Sequence, residues 1–284
     1  MRKDYVDRDE FIRDNKNTLT LMDDRFMTLC LNENVPCVQA IINHIINKDL
    51  TVIETHTHKE FKGLHRSIAI DIYAQDSEGK IYDIEIQNLS TGASPKRARF
   101  HAAMMDSHHL DENHKFDDLP ETYIIFITLE DVLKHNKVMY EIDRVIRDLN
   151  EPFNDGLHII YVNCEAENDG SEAWKVIHDL NCPEPKEMLI PELSKRVKFF
   201  KSTKKGMKEM NDWFAPYEKI VEQRAEKRGE KRGEKRGEER GEKRAKENFA
   251  VNLLKEGLTA LDRIATLTGL SLAEVTRLDK NLKA

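Results

Sequence analysis

The chain has 284 residues and a mass of 33.1 kDa, enough for about two domains. Apolar residues make up 39% and charged residues 34%, against about 45–50% and about 25% in ordinary soluble domains, and the excess charge is local: 21 of the 30 residues in 218–247 are charged. No apolar run approaches the roughly 18 residues of a membrane span, and 1–17 carry no apolar export core, so the expectation is a cytoplasmic protein with no membrane partner. Its four cysteines, without a CxxC pair, then read as reduced thiols. The net charge is −7, and 218–247 contributes twelve basic and nine acidic residues, leaving the remainder at −10. Such an acidic body is not the footprint of passive nucleic-acid binding, but it suits an enzyme whose acidic site carries metal ions.

In chain order, Thr18 or Thr20 could cap a helix reaching to about Asn47, with Leu21, Phe26, Leu29, Val38, Ile41, Ile42, Ile45 and Ile46 at helical spacing. Pro36 is expected to break it into two pieces. Three strand-like stretches follow, Leu50–Thr57, Arg66–Gln75 and Lys80–Asn88. Pro95 then falls in the first turn of a helix over Lys96–Leu110. Glu121–Leu129 reads as a buried strand, Val132–Leu149 as helix or irregular structure, and His158–Val162 as another strand. Residues 165–215 look helical and loop-like, punctuated by Pro183, Pro185 and Pro191. From Arg224 the sequence cycles KRGE every four residues, which reads as a solvated helical linker weakened by its glycines. Beyond Phe249, two short amphipathic segments flank Gly269, and Ser271 with Glu274 forms a capping box. Helix, glycine turn, helix is the rhythm of a helix-turn-helix. With only Arg277, Lys280 and Lys283 as basic groups on its second helix, a packed helical hairpin is favoured over DNA reading. The expected organisation is therefore a body over 1–215, a linker over 216–248 and a small helical segment over 249–284.

The chemically informative segment is Arg66–Gln87. Two alternating strands flank a polar turn containing Asp76, Ser77 and Gly79. Period two places Ile68, Ile70 and Ile72 on one face of the first strand and Ala69, Asp71 and Tyr73 on the other. On the second strand Tyr82, Ile84 and Ile86 share a face, and Asp83, Glu85 and Gln87 share the opposite one. A turn centred on Ser77–Gly79 sets Asp71 opposite Glu85. Like charges directly opposed on a sheet are destabilising, and a divalent cation held between them removes the conflict. The histidines show no HExxH or finger spacing and read as surface or supporting residues.

These residues, with four further stretches, resemble a known family. Asp71, a glycine-turn hairpin and Glu85-Ile86-Gln87 resemble the core of the PD-(D/E)XK nucleases, and in particular the recombination-promoting nuclease (Rpn) group, also described as PD-(D/E)XK nuclease family transposases. Leu21–Met27, Arg66–Ile72, Lys96–Phe100, Leu119–Thr128 and Asp155–Asn163 resemble successive motifs of that group, in order, within about residues 18–215.

The resemblance implies an α/β fold, a restriction-endonuclease-like core with a mixed central sheet flanked by helices, followed by a C-terminal helical extension. It implies a Mg²⁺-dependent (or Mn²⁺-dependent) DNA endonuclease in which Asp71 and Glu85 hold the metal and Gln87 stands where many PD-(D/E)XK enzymes have lysine. Asp23, with Asp24 as the close alternative, would be the further catalytic carboxylate from the first helix. Arg97 or Arg99 would contact DNA phosphate. The alternative is a catalytically weak or inactive DNA- or protein-binding member of the same fold. For the tail the expectation is self-association, a homodimer suited to cutting both strands of a duplex.

Overall fold

The computed structural model describes residues 18–87, 92–257 and 260–283, with side chains at all of these except 218, 220–222, 224–240 and 283. The opening helical stretch is two helices, α1 (Asp24–Leu31) and α2 (Val35–Ile46). The Asn34 side chain accepts from the Cys37 N–H, and Pro36 lies in the first turn. Pro36 therefore opens α2 and interrupts nothing, because its missing N–H falls where a helix has no partner for it. Strands β1 (Val52–Phe61), β2 (Ile68–Asp76) and β3 (Ile81–Gln87) form an antiparallel meander. Helix α3 (Pro95–His109) follows, its first turn capped by the Ser94 side chain, which accepts from the Arg97 N–H. Strand β4 (Thr122–Thr128) lies parallel to β3.

Between β4 and the next parallel strand the structure departs from the helical or irregular expectation. Met139–Ile142 is strand β5, and Val145–Ile146 (β6) with Glu151–Pro152 (β7) forms a separate short ribbon. The Asp131 carboxylate organises this turn, accepting from the N–H groups of Leu133, Lys134 and Asn136 and from the Tyr140 hydroxyl. Strand β8 (Leu157–Asn163) takes β5 as an antiparallel edge neighbour. The six-stranded order is β1-β2-β3-β4-β8-β5. Helices α4 (Glu172–Asn181), α5 (Pro191–Ser202) and α6 (Lys204–Lys255) follow, then α7 (Leu261–Thr268) and α8 (Leu272–Lys283).

Two apolar clusters sandwich the sheet. The larger joins Phe26, Ile41, Val176 and Phe200 from the helices to Ile72, Tyr82, Ile84 and Ile125. The smaller joins Ala98, Ala102 and Met105 of α3 to Ile70, Tyr73, Ile124 and Phe126. β3 and β4 are thus covered on both faces, as parallel strands require. Helix contacts divide the chain into two compact units, one ending at Ala215 and one beginning at Pro216, inside α6. Within the second unit, Ile264 and Val275 of the two short helices and Leu270 of the turn between them bury against Ala250 of α6. Gly269 turns between them with φ +68°, and the Ser271–Glu274 capping box is formed. No described helix is long and apolar enough to cross a membrane.

The β2–β3 turn fixes everything that follows. Asp76 is buried; its Oδ1 accepts from the N–H groups of Glu78 and Lys80, and its Oδ2 from the Tyr82 hydroxyl. Gly79 supplies the left-handed residue at φ +85°. The resulting ladder pairs Ile72 with Ile84, Tyr73 with Asp83, Ala74 with Tyr82 and Gln75 with Ile81, the register expected from the sequence. Asp76→Ala leaves two N–H groups and a buried hydroxyl without their acceptor. It should destabilise the protein by about 2–4 kcal/mol, read by chemical denaturation; a loss below about 0.5 kcal/mol would show that the turn holds its register without this carboxylate.

Candidate active site

One step past the Ile72–Ile84 pair the two strands carry Asp71 and Glu85. The Asp71 N–H donates to Glu85 Oε1 at 3.2 Å, and Asp71 Oδ2 accepts from the Ile86 N–H at 2.9 Å. Side chain has replaced main chain as the link between the strands, which part here. On the other side of β2, His58 of β1 adopts φ +52°, between the pairs Thr57–Ile72 and Lys59–Ile70. This irregularity shifts the phase of β2. Ile72 packs in the larger cluster, whereas Ile68 and Ile70 pack in the smaller, so the three isoleucines do not share the face that strict alternation assigns them. Strand β3 keeps its alternation: Tyr82, Ile84 and Ile86 pack in the larger cluster, and Asp83, Glu85 and Gln87 meet helix α3.

Helix α3 supplies the site's other two polar groups, Arg97 and His101, four residues apart and hence on one face. Arg97 donates through Nη2 to Glu85 Oε2 at 2.5 Å, through Nη1 to the Gly92 carbonyl at 2.8 Å and to Gln87 Oε1 at 3.5 Å, and through Nε to His101 Nε2 at 3.2 Å. His101 Nδ1 lies 2.7 Å from Asp83 Oδ2. Since Nε2 receives the Arg97 proton, the network assigns His101 the neutral tautomer that donates from Nδ1 to Asp83. Gln87 Nε2 donates to Glu85 Oε2 at 3.3 Å. Asp83 and Glu85 are fully buried and His101 nearly so, while Arg97 stays 36% exposed and reaches the cluster from the solvent side.

The electrostatics follow from burial. Loss of water raises the Asp71, Asp83 and Glu85 carboxyls; Asp71 raises Asp83 further, Asp83 and Asp71 both raise Glu85, and Arg97 only partly opposes this. Glu85 is pushed up to about 8. Burial also lowers His101, in keeping with the neutral ring.

The placements sort the sequence expectations. Asp71, Glu85 and Gln87 meet at the fork, and Arg97 joins them. Arg99 is exposed on α3. Asp23 stands just before α1 and its side chain turns back along the chain, Oδ2 accepting from the Thr20 N–H at 2.9 Å. Its neighbour Asp24 approaches the site instead, with Oδ1 3.7 Å from His58 Nε2 and its charge adding to the upward push on Asp71. Three residues escaped the pattern: Asp83, His58 and His101. Asp83 shares the alternating face with Glu85, and that parity was the available signal. The histidines read as peripheral because they arrive from β1 and α3, at no recognisable spacing.

Among the described residues two groupings could hold a metal ion, Asp24 with His58 and Asp71, and Asp83 with Glu85 and His101. They abut through the Asp71–Glu85 hydrogen bond. The donor set fits a hard divalent cation: the acceptors are mostly carboxylate oxygens, and Asp83 Oδ1 is buried without a hydrogen-bond partner.

A model of the PD-(D/E)XK nuclease family transposases matches residues 28–249. The match covers most of the chain, which therefore belongs to that family. No curated protein and no solved structure matches it.

A carboxyl raised on folding stabilises the protein while protonated. For Glu85 that contribution is complete below about 4.5, its ordinary value, and is lost as the pH rises through about 8. In chelator, Glu85→Gln should therefore melt higher than wild type near pH ~8, with the gap closing towards pH ~5. A gap that does not change with pH in thermal melts would contradict the raised Glu85.

Proposed function

We propose that this family member is a metal-dependent DNA endonuclease that hydrolyses phosphodiester bonds at the β2–β3 fork. The observation that carries the reading is the convergence of Asp71, Glu85 and Gln87 with Arg97 on one partly open cluster of buried carboxylates. A fold selected for stability alone gains nothing from three mutually repelling acids there.

In this reading Asp71 and Glu85 hold Mg²⁺ or Mn²⁺, with Asp24 as the further carboxylate. The ion would supply neutralisation of the phosphate's charge and a more acidic water. Gln87 offers an amide whose donor and acceptor are already aligned along Glu85 and Arg97, suited to orienting water. Asp83 and His101 close the inner wall and keep it dry. Hydrolysis forms a bond from the water oxygen to phosphorus and breaks the bond to one ester oxygen. The water's proton is lost and the departing oxygen gains one, so water is the sole co-reactant.

Substrate of the opposite charge is favoured locally despite the acidic body. Lys62 and Arg66 on the β1–β2 turn, and Lys96 and Arg99 in the first turns of α3, are all exposed on the elements that flank the fork. They can follow a phosphate backbone, which predicts strongly salt-dependent binding.

Plasmid nicking with Mg²⁺ or Mn²⁺ tests the activity. Asp71→Asn and Glu85→Gln should each lower it by at least about 100-fold while leaving the fold intact by circular dichroism. Wild-type rates in both variants would remove the site; no nicking by the wild type would favour a binding protein of the same fold.

The second unit is proposed to mediate self-association. Phe249, Leu267, Leu272 and Leu282 are exposed apolar residues in a unit whose own apolar cluster is small. Light scattering should give a dimer for the full chain and a monomer for a chain ending at Ala215. The same number of chains per particle for both, or a full-length monomer, would remove this role.

A further inference from the structure

Gln87 poses a chemical problem. It occupies the position from which the commoner PD-(D/E)XK pattern presents an ammonium, and a neutral amide cannot stabilise the negative charge that develops on a phosphate under attack. Helix α3 carries an answer. Arg97 brings its guanidinium to the Gln87 side chain and to Glu85 Oε2, and its exposed edge leaves it reachable by substrate.

We propose that Arg97 is the cation of the active site, a guanidinium delivered from the helix in place of the ammonium that the strand lacks, and that Asp83 and His101 are the positioning pair that aims it. The proposal rests on the nuclease reading and deepens it.

A guanidinium has five N–H donors in a fixed fork. Here Nη1 is held by the Gly92 carbonyl and Nε by His101 Nε2. His101 can accept at Nε2 only while its proton sits on Nδ1, and Asp83 Oδ2 holds it there. The chain Asp83–His101–Arg97–Glu85 therefore alternates acceptor and donor at every link. Asp83 and His101 are buried beneath Arg97 and out of substrate's reach, so they act through it. Phe126 backs the guanidinium at 5.8 Å from its ring centre, within cation–π range. A Cβ at Gly92 would press on the end of the Gln87 side chain and meet Arg97 Nη1 at an ordinary contact distance of 3.7 Å.

The same contacts give Arg97 a second, opposite effect. It sits on Glu85 Oε2, an oxygen that a divalent cation would also claim. Removing Arg97 should therefore hinder turnover and at the same time release Glu85 for metal. A residue that only holds the fold together would not move these two quantities in opposite directions.

The test uses full-length protein, with Mn²⁺ affinity measured by calorimetry without DNA and nicking measured at saturating Mn²⁺. Arg97→Ala should lower kcat by about 100- to 1,000-fold, with a smaller change in KM and tighter Mn²⁺ binding than wild type. Gln87→Lys in the Arg97→Ala background should recover at least about tenfold of the lost kcat, because the cation is returned from the strand. His101→Ala should lower kcat less than Arg97→Ala does. If Arg97→Ala does not fold, Arg97→Gln keeps the reach and some hydrogen bonding without the charge and is read in the same way. Wild-type kcat in the arginine variant, or weaker Mn²⁺ binding with no rescue by lysine, overturns the proposal while leaving the nuclease reading standing. A wild type that binds Mn²⁺ but never nicks overturns both.

Discussion

Three carboxylates that repel one another are confined to a single, mostly buried cluster, and the surrounding architecture serves to keep them there. Asp83 lies where β3 is paired with both β2 and β4, and Glu85 one residue past the last β2 pair but still on the β4 ladder. Asp71 is tied to the same strand through the Ile86 and Glu85 contacts. The cost of this confinement is met from helix α3, whose Arg97 and His101 answer two of the three acids directly. Removing Arg97 or His101 takes a partner away from a buried acid, whereas neutralising one of the acids relieves the repulsion among them.

The topology makes the arrangement possible. β3 is the strand at which the sheet changes from antiparallel to parallel neighbours, and its connection to β4 passes through α3. One face of β3 is free to be wholly apolar because the larger cluster covers it. The other starts with Ile81 in the smaller cluster and turns polar from Asp83 onwards, where α3 supplies partners. On the antiparallel side a short turn sets the register, and the Asp76 carboxylate holds that turn. A single buried aspartate far from the fork therefore decides which residues face one another inside it.

Much of this was legible in the sequence, for identifiable reasons. The alternation in Ile81–Gln87 and the six-residue turn before it imply both the shared face of Asp83, Glu85 and Gln87 and the register with Asp71. Pro95 marked the start of α3. Where the sequence misled, the deciding contact came from elsewhere in the chain. Ile68 and Ile70 leave the face of Ile72 because His58, on another strand, takes a left-handed turn opposite Asp71. The β5 edge strand forms because Asp131 folds the preceding loop and β8 offers an unpaired edge, and neither is visible within Val132–Leu149. Asp23 and Asp24 are adjacent and chemically alike; the helix begins between them, turning one back to the Thr20 N–H and the other towards His58. His101 looked peripheral because its partner Asp83 is 18 residues away and on a strand.

The indole of Trp213, on α6, donates to the carbonyl of Arg25 at 3.2 Å. Arg25 directly follows Asp24, so this bond ties α1 in place next to the carboxylate that approaches the fork. The chain has only two tryptophans, and Trp174 lies on α4, 5.4 Å from the His178 ring. Replacing Trp174 with phenylalanine would leave Trp213 as the single tryptophan, excitable beyond tyrosine absorption and hydrogen-bonded to the helix that presents Asp24. Its emission would then report, without any label, whether that helix shifts as ligands reach the fork.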